Sequence, residues 1–150
     1  MITDQSVRHA IKNLIATAQP AATVYEWNAL SHDLATWPGL FRTATGTHGW
    51  LIKRTSMESE WKHGGRQRPR WIYDIWGFYG FRSGKEGDNS DDEFSAVVAS
   101  IAEALRATPT LELDEVERHE LLQADRLTTI DCGEETLHFA QCRLTVHICC

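Results

Sequence analysis

The chain has 150 residues, 42% of them hydrophobic and 24% charged, an ordinary composition for one domain with its own core. No run is long and apolar enough to span a bilayer, and the opening MITDQSVRHA lacks the apolar centre of a signal peptide, so the expectation is a protein folded in a cytoplasm with no membrane partner. The net charge of −6 argues against a general nucleic-acid binder but leaves room for a local basic patch.

From Thr3 to Ala18, the apolar residues Val7, Ala10, Ile11, Leu14, Ile15 and Ala18 recur at spacings of three and four. This predicts a helix capped by Thr3 or Asp4 and ended by Pro20. Ala21–Trp27 reads as a short extended segment, and Ser31–Trp37 as a short helix or turn before Pro38-Gly39. Trp50–Thr55 and Arg68–Phe81 are strand candidates joined by the polar connection SMESEWKHGGRQ with its Gly64-Gly65 turn signal, a hairpin with a long arm. Phe94, Val97, Val98, Ile101, Ala102 and Leu105 mark a second amphipathic helix, capped by Asp91 or Asp92 and closed before Pro109. Leu121–Asp131 and Thr136–Ile148 are two further strands about Gly133-Glu134. In the second of these, Ala140, Cys142, Leu144, Val146 and Ile148 alternate with Gln141, Arg143, Thr145 and His147. The expected fold is α+β: one domain over residues 1–150, with a single antiparallel or mixed sheet packed against two main helices.

The segment RWIYDIWGFYGF, Arg70 to Phe81, holds eight aromatic or apolar side chains and two glycines in twelve residues. The glycines of Gly77-Phe78-Tyr79-Gly80 suggest a bulge or a close backbone approach. A basic stretch precedes this segment and an acidic one follows it. Lys53, Arg54, Lys62, Arg66, Arg68 and Arg70 are opposed locally only by Glu58 and Glu60, while Glu86, Asp88, Asp91, Asp92 and Glu93 place five acids after it. Trp50, Trp61 and Trp71 interleave with the basic residues, a pattern suited either to stacked nucleic-acid bases or to a protein contact. Opposite charges on one chain favour head-to-tail docking between copies, with the basic arm reaching the Asp88–Glu93 region of a neighbour.

Chemistry has little support in the residue pattern. His138 and Cys142 share a strand face about 13 Å apart, too far for one tetrahedral zinc ion, and Cys142 and His147 point to opposite faces. Cys142 therefore reads as a small core residue, and His138 and His147 as exposed strand residues. DNSDDE lacks the glycine and glutamate spacing of a calcium loop. No hydrolase, zinc-protease or nucleotide-binding motif is present, and no cofactor or enzymatic activity is expected. Cys132, Cys142, Cys149 and Cys150 form no C-x-x-C pair and read as reduced thiols; with Gly133-Glu134-Glu135 as the turn, Cys132 would pair near Leu137, too far from Cys142 for a disulfide.

The order of an N-terminal helix, VYEW (Val24–Trp27), GWLIKRT (Gly49–Thr55), a basic loop, RWIYDIWGFYGF, an acid-capped helix and two closing strands resembles the tail terminator and tail-completion proteins of tailed bacteriophages. The resemblance covers most of the chain and implies a virion structural protein at the head-proximal end of the tail. It would form a ring, hexameric in the family, that stops tube polymerisation. Its implied partners are further copies of itself, the tail tube protein, the head–tail connector and genomic DNA passing through the ring. The implied interface residues are Lys53, Arg54, Trp61, Lys62, Arg66, Arg68 and Arg70 on the basic arm, and Glu86, Asp88, Asp91, Asp92 and Glu93 on the acidic loop. Two alternatives stand beside this: a head-completion or adaptor protein, and a nucleic-acid-binding module using residues 53–70.

Overall fold

The computed structural model describes residues 1–26, 37–43, 46–62, 64–81, 90–122, 128–132 and 135–149, with backbone alone at 37, 60–62, 66, 122 and 135. Helix α1 (Asp4–Ala18) opens on a capping box: Thr3 Oγ1 accepts from the Ser6 N–H and Ser6 Oγ accepts from the Thr3 N–H. It buries Val7, Ile11 and Ile15, the stripe its spacing predicts, and ends at Gln19, just before Pro20. Strand β1 (Thr23–Glu26) follows, then a single helical turn, α2 (Trp37–Leu40). Most of the helix or turn expected at Ser31–Trp37 lies outside the described residues. The remaining elements are β2 (Arg42–Thr43), β3 (Gly46–Lys62), β4 (Arg66–Gly80), α3 (Ser90–Arg106), β5 (Val116–Leu122), β6 (Thr128–Cys132) and β7 (Glu135–Ile148).

These strands make one mixed sheet of seven in the order β1-β3-β4-β7-β5, with β2 beside β3 and β6 beside β7. Among the described residues only β1 runs parallel to its neighbour, and every other pairing is antiparallel. The aromatic strand β4 is central, flanked by β3 and β7. The expected α+β fold, a mixed sheet with a long hairpin and two main helices, is what forms.

Four expectations need correction. SMESEWKHGGRQ is not a loop: β3 and β4 continue through it until Lys62 faces Arg66, with Gly64 and Gly65 at φ of 98° and 74° making the turn. A ribbon exposed on both faces accepts polar side chains without losing its backbone ladder, so polarity there did not signal irregular structure. Leu121–Asp131 is not one strand but parts of two, β5 and β6, which lie end to end along one edge of the longer β7, with Leu122 opposite Arg143 and Thr128 opposite Phe139. Asp91 and Asp92 do not cap α3, which already begins at Ser90; they occupy its first turn, where their charge still favours the helix dipole. Finally, Cys132 faces Glu135 rather than a residue near Leu137, because the connection there is two residues long.

The sheet has two unequal apolar faces. On one, α1 and α3 cover Trp50, Ile52, Tyr73, Ile75, Ala140, Cys142, Leu144, Val146 and Ile148. Here Gly77 leaves room for the Trp50 indole: a β-carbon on Gly77 would stand 2.5 Å from Trp50 Cη2. On the opposite face Phe41 closes over Leu51, Phe78, Leu137 and Cys132, with Trp76 and Phe139 at its margin. The Phe41 and Phe78 rings stack with centroids 5.2 Å apart. Cys132 and Cys142 are thus thiols in different clusters, on either side of the sheet.

Candidate protein interface

The hairpin arm results from unequal strand lengths. β1 reaches only to Ile52 of β3, and β7 first meets β4 at Arg70. Ser59–Lys62 and Arg66–Pro69 therefore continue as a two-stranded ribbon, about 13 Å long at 3.3 Å per residue. Pro69 falls in this stretch, where its missing N–H deprives no β7 rung. At the base of the ribbon Met57 faces Trp71 across the ladder and is 48% exposed.

The basic residues singled out by sequence divide into two groups. Lys53, Arg54, Arg68 and Arg70 have partners within the chain. Lys53 Nζ lies 5.7 Å from the Trp76 ring centroid, and Arg54 is 3.4 Å from Asp4. Arg68 pairs with Glu117, and Arg70 with Glu58. Lys62 and Arg66 form the last rung of the ladder, and Trp61 faces Gln67 one rung earlier. The tryptophans divide as well. Trp50 is fully buried, its indole N–H donating to His48 Nε2 at 3.1 Å, so it takes no part in the arm. Trp71 is half-buried against the core beneath the helices.

Sequence reading missed two of these acidic partners, Asp4 and Glu117, because they lie far along the chain. A β-bulge positions each contact: the register slips between Arg54 and Ser56, and again between Val116 and Arg118 beside Glu117. An extra residue bends the strand locally and re-aims its side chains. Asp4 is also a hub. Its carboxylate accepts from Tyr73 Oη at 2.9 Å and pairs with Arg8 Nε at 3.0 Å, tying the start of α1 to β3 and β4. Burial, reinforced by the Asp4 charge, pushes the Tyr73 phenol far above its ordinary range, so it stays a neutral donor.

The acidic group sits at the other end of β4. Asp91 and Asp92 are exposed, Glu93 accepts a 3.0 Å bond from Tyr79 Oη, and Glu86 and Asp88 lie outside the described residues. Beneath this turn is a closed cluster. Tyr79 stacks on Phe94 at 5.5 Å and meets His48 edge-on at 5.1 Å. Burial lowers the His48 pKa to about 4, which keeps the ring neutral and able to accept from Trp50.

His138 and His147, expected to be exposed, are both buried, His138 because it lies against Ser90 and Phe94 in the first turns of α3. His147 Nε2 is 3.6 Å from Glu120, and His138 Nε2 is 2.8 Å from Ser90 Oγ. With Asp91 Oδ1 at 3.9 Å from His138 Nδ1, the connectivity is that of a serine, a histidine and an aspartate in series. Ser90 is 1% exposed and His138 4%, with Phe81 stacked on the imidazole at 3.9 Å, so both groups are closed off from solvent. The arrangement fastens the first turn of α3 to β7. Among the described residues, no three His, Cys, Asp or Glu side chains converge on a metal position, and no helix is long and apolar enough to cross a membrane. No protein-family model and no curated protein sequence matches this chain.

Proposed function

We propose that this chain is a virion structural protein of the tail terminator kind. It would form a ring at the head-proximal end of a phage tail tube, halt tube growth and offer a docking surface to the head connector. The observation that carries the reading is the hairpin ribbon, which leaves the sheet with an apolar residue, Met57, exposed at its base and Lys62 and Arg66 at its tip. A ribbon with these properties suits insertion against a second protein. The segments that carry the family resemblance, GWLIKRT and RWIYDIWGFYGF, are supporting: they lie in β3 and β4, the adjacent strands that build the ribbon. In this reading the work is geometric, and the partners are other copies of the chain, tube protein and connector, with DNA passing through the ring.

Light scattering on the purified protein, combined with electron microscopy after mixing with tail tubes, tests the proposal. A defined ring, or rings seated on one end of the tubes, is the expected result. A monomer at every concentration that ignores tubes contradicts it. DNA retention lost on Lys62→Glu/Arg66→Glu, with no change in assembly, would favour the nucleic-acid alternative.

A further inference from the structure

The helix layer carries an open groove of about 610 Å³ between α1 and the segment that leaves α3. Ala10, Leu14 and Ala18 line it from α1, and Ala107 and Leu113 from the segment after α3. Its floor depends on an unusual backbone. Leu111 and Glu112 are consecutive non-glycine residues at φ of 53° and 58°, a left-handed conformation that ordinarily costs about 1–3 kcal/mol per residue. Hydrogen bonds from the Leu111 N–H to the Thr108 carbonyl and from the Leu113 N–H to the Thr110 carbonyl hold the turn. The result is a buried Leu111 under the groove and an exposed Glu112 at its rim, with exposed Asp114 two residues on. Such strain persists where the surrounding structure over-determines it, and it clusters at binding sites.

Resting on the assembly reading above, we infer that this groove receives the hairpin arm of a second copy of the chain. The two surfaces complement each other in character and in sign. The arm offers Met57 and Pro69 along one length, and its last rung pairs two basic residues, Lys62 and Arg66. The groove offers small apolar walls and the carboxylate of Glu112 in its lining, with exposed Asp114 two residues on. The contact is heterologous, arm of one copy to helix layer of the next, and so propagates around a closed ring. It differs from the neighbour contact expected from sequence, which places the arm on the Asp88–Glu93 region. In the Asp91–Glu93 turn Glu93 already accepts from Tyr79 of its own subunit, whereas the groove is an open concavity of ligand-site size, a range of about 300–1,000 Å³.

A photo-reactive phenylalanine at position 57 of the full chain, with cross-links mapped by mass spectrometry, locates the arm. Intermolecular links to residues 10–18 or 104–113 are expected. Glu112→Lys/Asp114→Lys should weaken assembly at least tenfold at low salt, with an unchanged melting temperature, and Lys62→Glu/Arg66→Glu in the same chain should restore part of it. Assembly with cross-links confined to other surfaces, the Asp91–Glu93 turn included, overturns the groove assignment and leaves the ring reading intact. Absence of intermolecular cross-links and of any oligomer at all concentrations overturns both. A groove that takes up a small apolar probe while cross-links fall elsewhere assigns it to a ligand and also overturns the inference.

Discussion

The two ends of β4 are built for different purposes. At the Tyr79 end, β4 lies between β3 and β7, and the rings of Trp50, Tyr79, Phe94 and His138 pack beneath the first turn of α3. At the Arg66 end the same strand has lost β7, keeps a single partner strand among the described residues, and carries ion pairs between residues about one-third to one-half exposed. One strand thus runs from a region where rings pack into a buried cluster to one where little apolar area holds it. Stability is concentrated at the first end, and surface remains available for recognition at the second.

Substitutions should separate the ends by magnitude. Trp50→Ala removes a fully buried indole and should cost about 3–5 kcal/mol, read as a fall in the denaturant midpoint. A loss below about 1 kcal/mol would mean that the cluster is not the anchor it resembles. Asp4→Asn leaves Arg8 and Arg54 without their carboxylate and should cost about 1–3 kcal/mol. Calorimetry that finds the variant as stable as the parent would remove Asp4 as the link between α1 and the sheet.

Acid should act on the first end. His48 is neutral in the fold down to about pH 4, whereas the unfolded chain takes up that proton near 6.5. Between these values the unfolded state binds more protons, so this contribution to stability is present above pH 6.5 and is lost as pH falls toward 4. His48→Gln keeps an acceptor for Trp50 without the titration, and its melting temperature should fall less steeply over that window. Parallel curves for the two proteins would contradict this. The smallest effect belongs to the arm: Arg70→Ala breaks a partly exposed pair with Glu58 and should cost under about 1 kcal/mol. A larger loss by chemical denaturation would make the ribbon's base part of the core.

Periodicity made the helices and β7 legible, because Val7, Ile11, Ile15 and the run Ala140–Ile148 repeat with the period of the element they belong to. The second apolar face was not legible. Phe41 follows a proline-containing turn with no period around it, and only the fold brings it over Leu51 and Phe78. The basic arm was found but its charge was overcounted, since Asp4 and Glu117 lie about fifty residues or more from the arginines they meet. Local charge balance cannot register contacts that a bulge and a sheet create. The α1–α3 groove left no trace either, because Leu111 and Glu112 adopt a conformation that their residue types do not announce.

In the proposed function the arm serves recognition and contributes little to the fold. Replacing residues 61–67 by Asn-Gly joins Glu60 to Arg68 through a two-residue hairpin turn and removes the tip alone. Molar mass by sedimentation, measured with the melting temperature of the same sample, is the decisive pair of readings. A melting temperature within a few degrees of the parent, together with complete loss of the oligomer, is the expected result. An oligomer that survives the deletion, or a fold that collapses with it, would contradict the account.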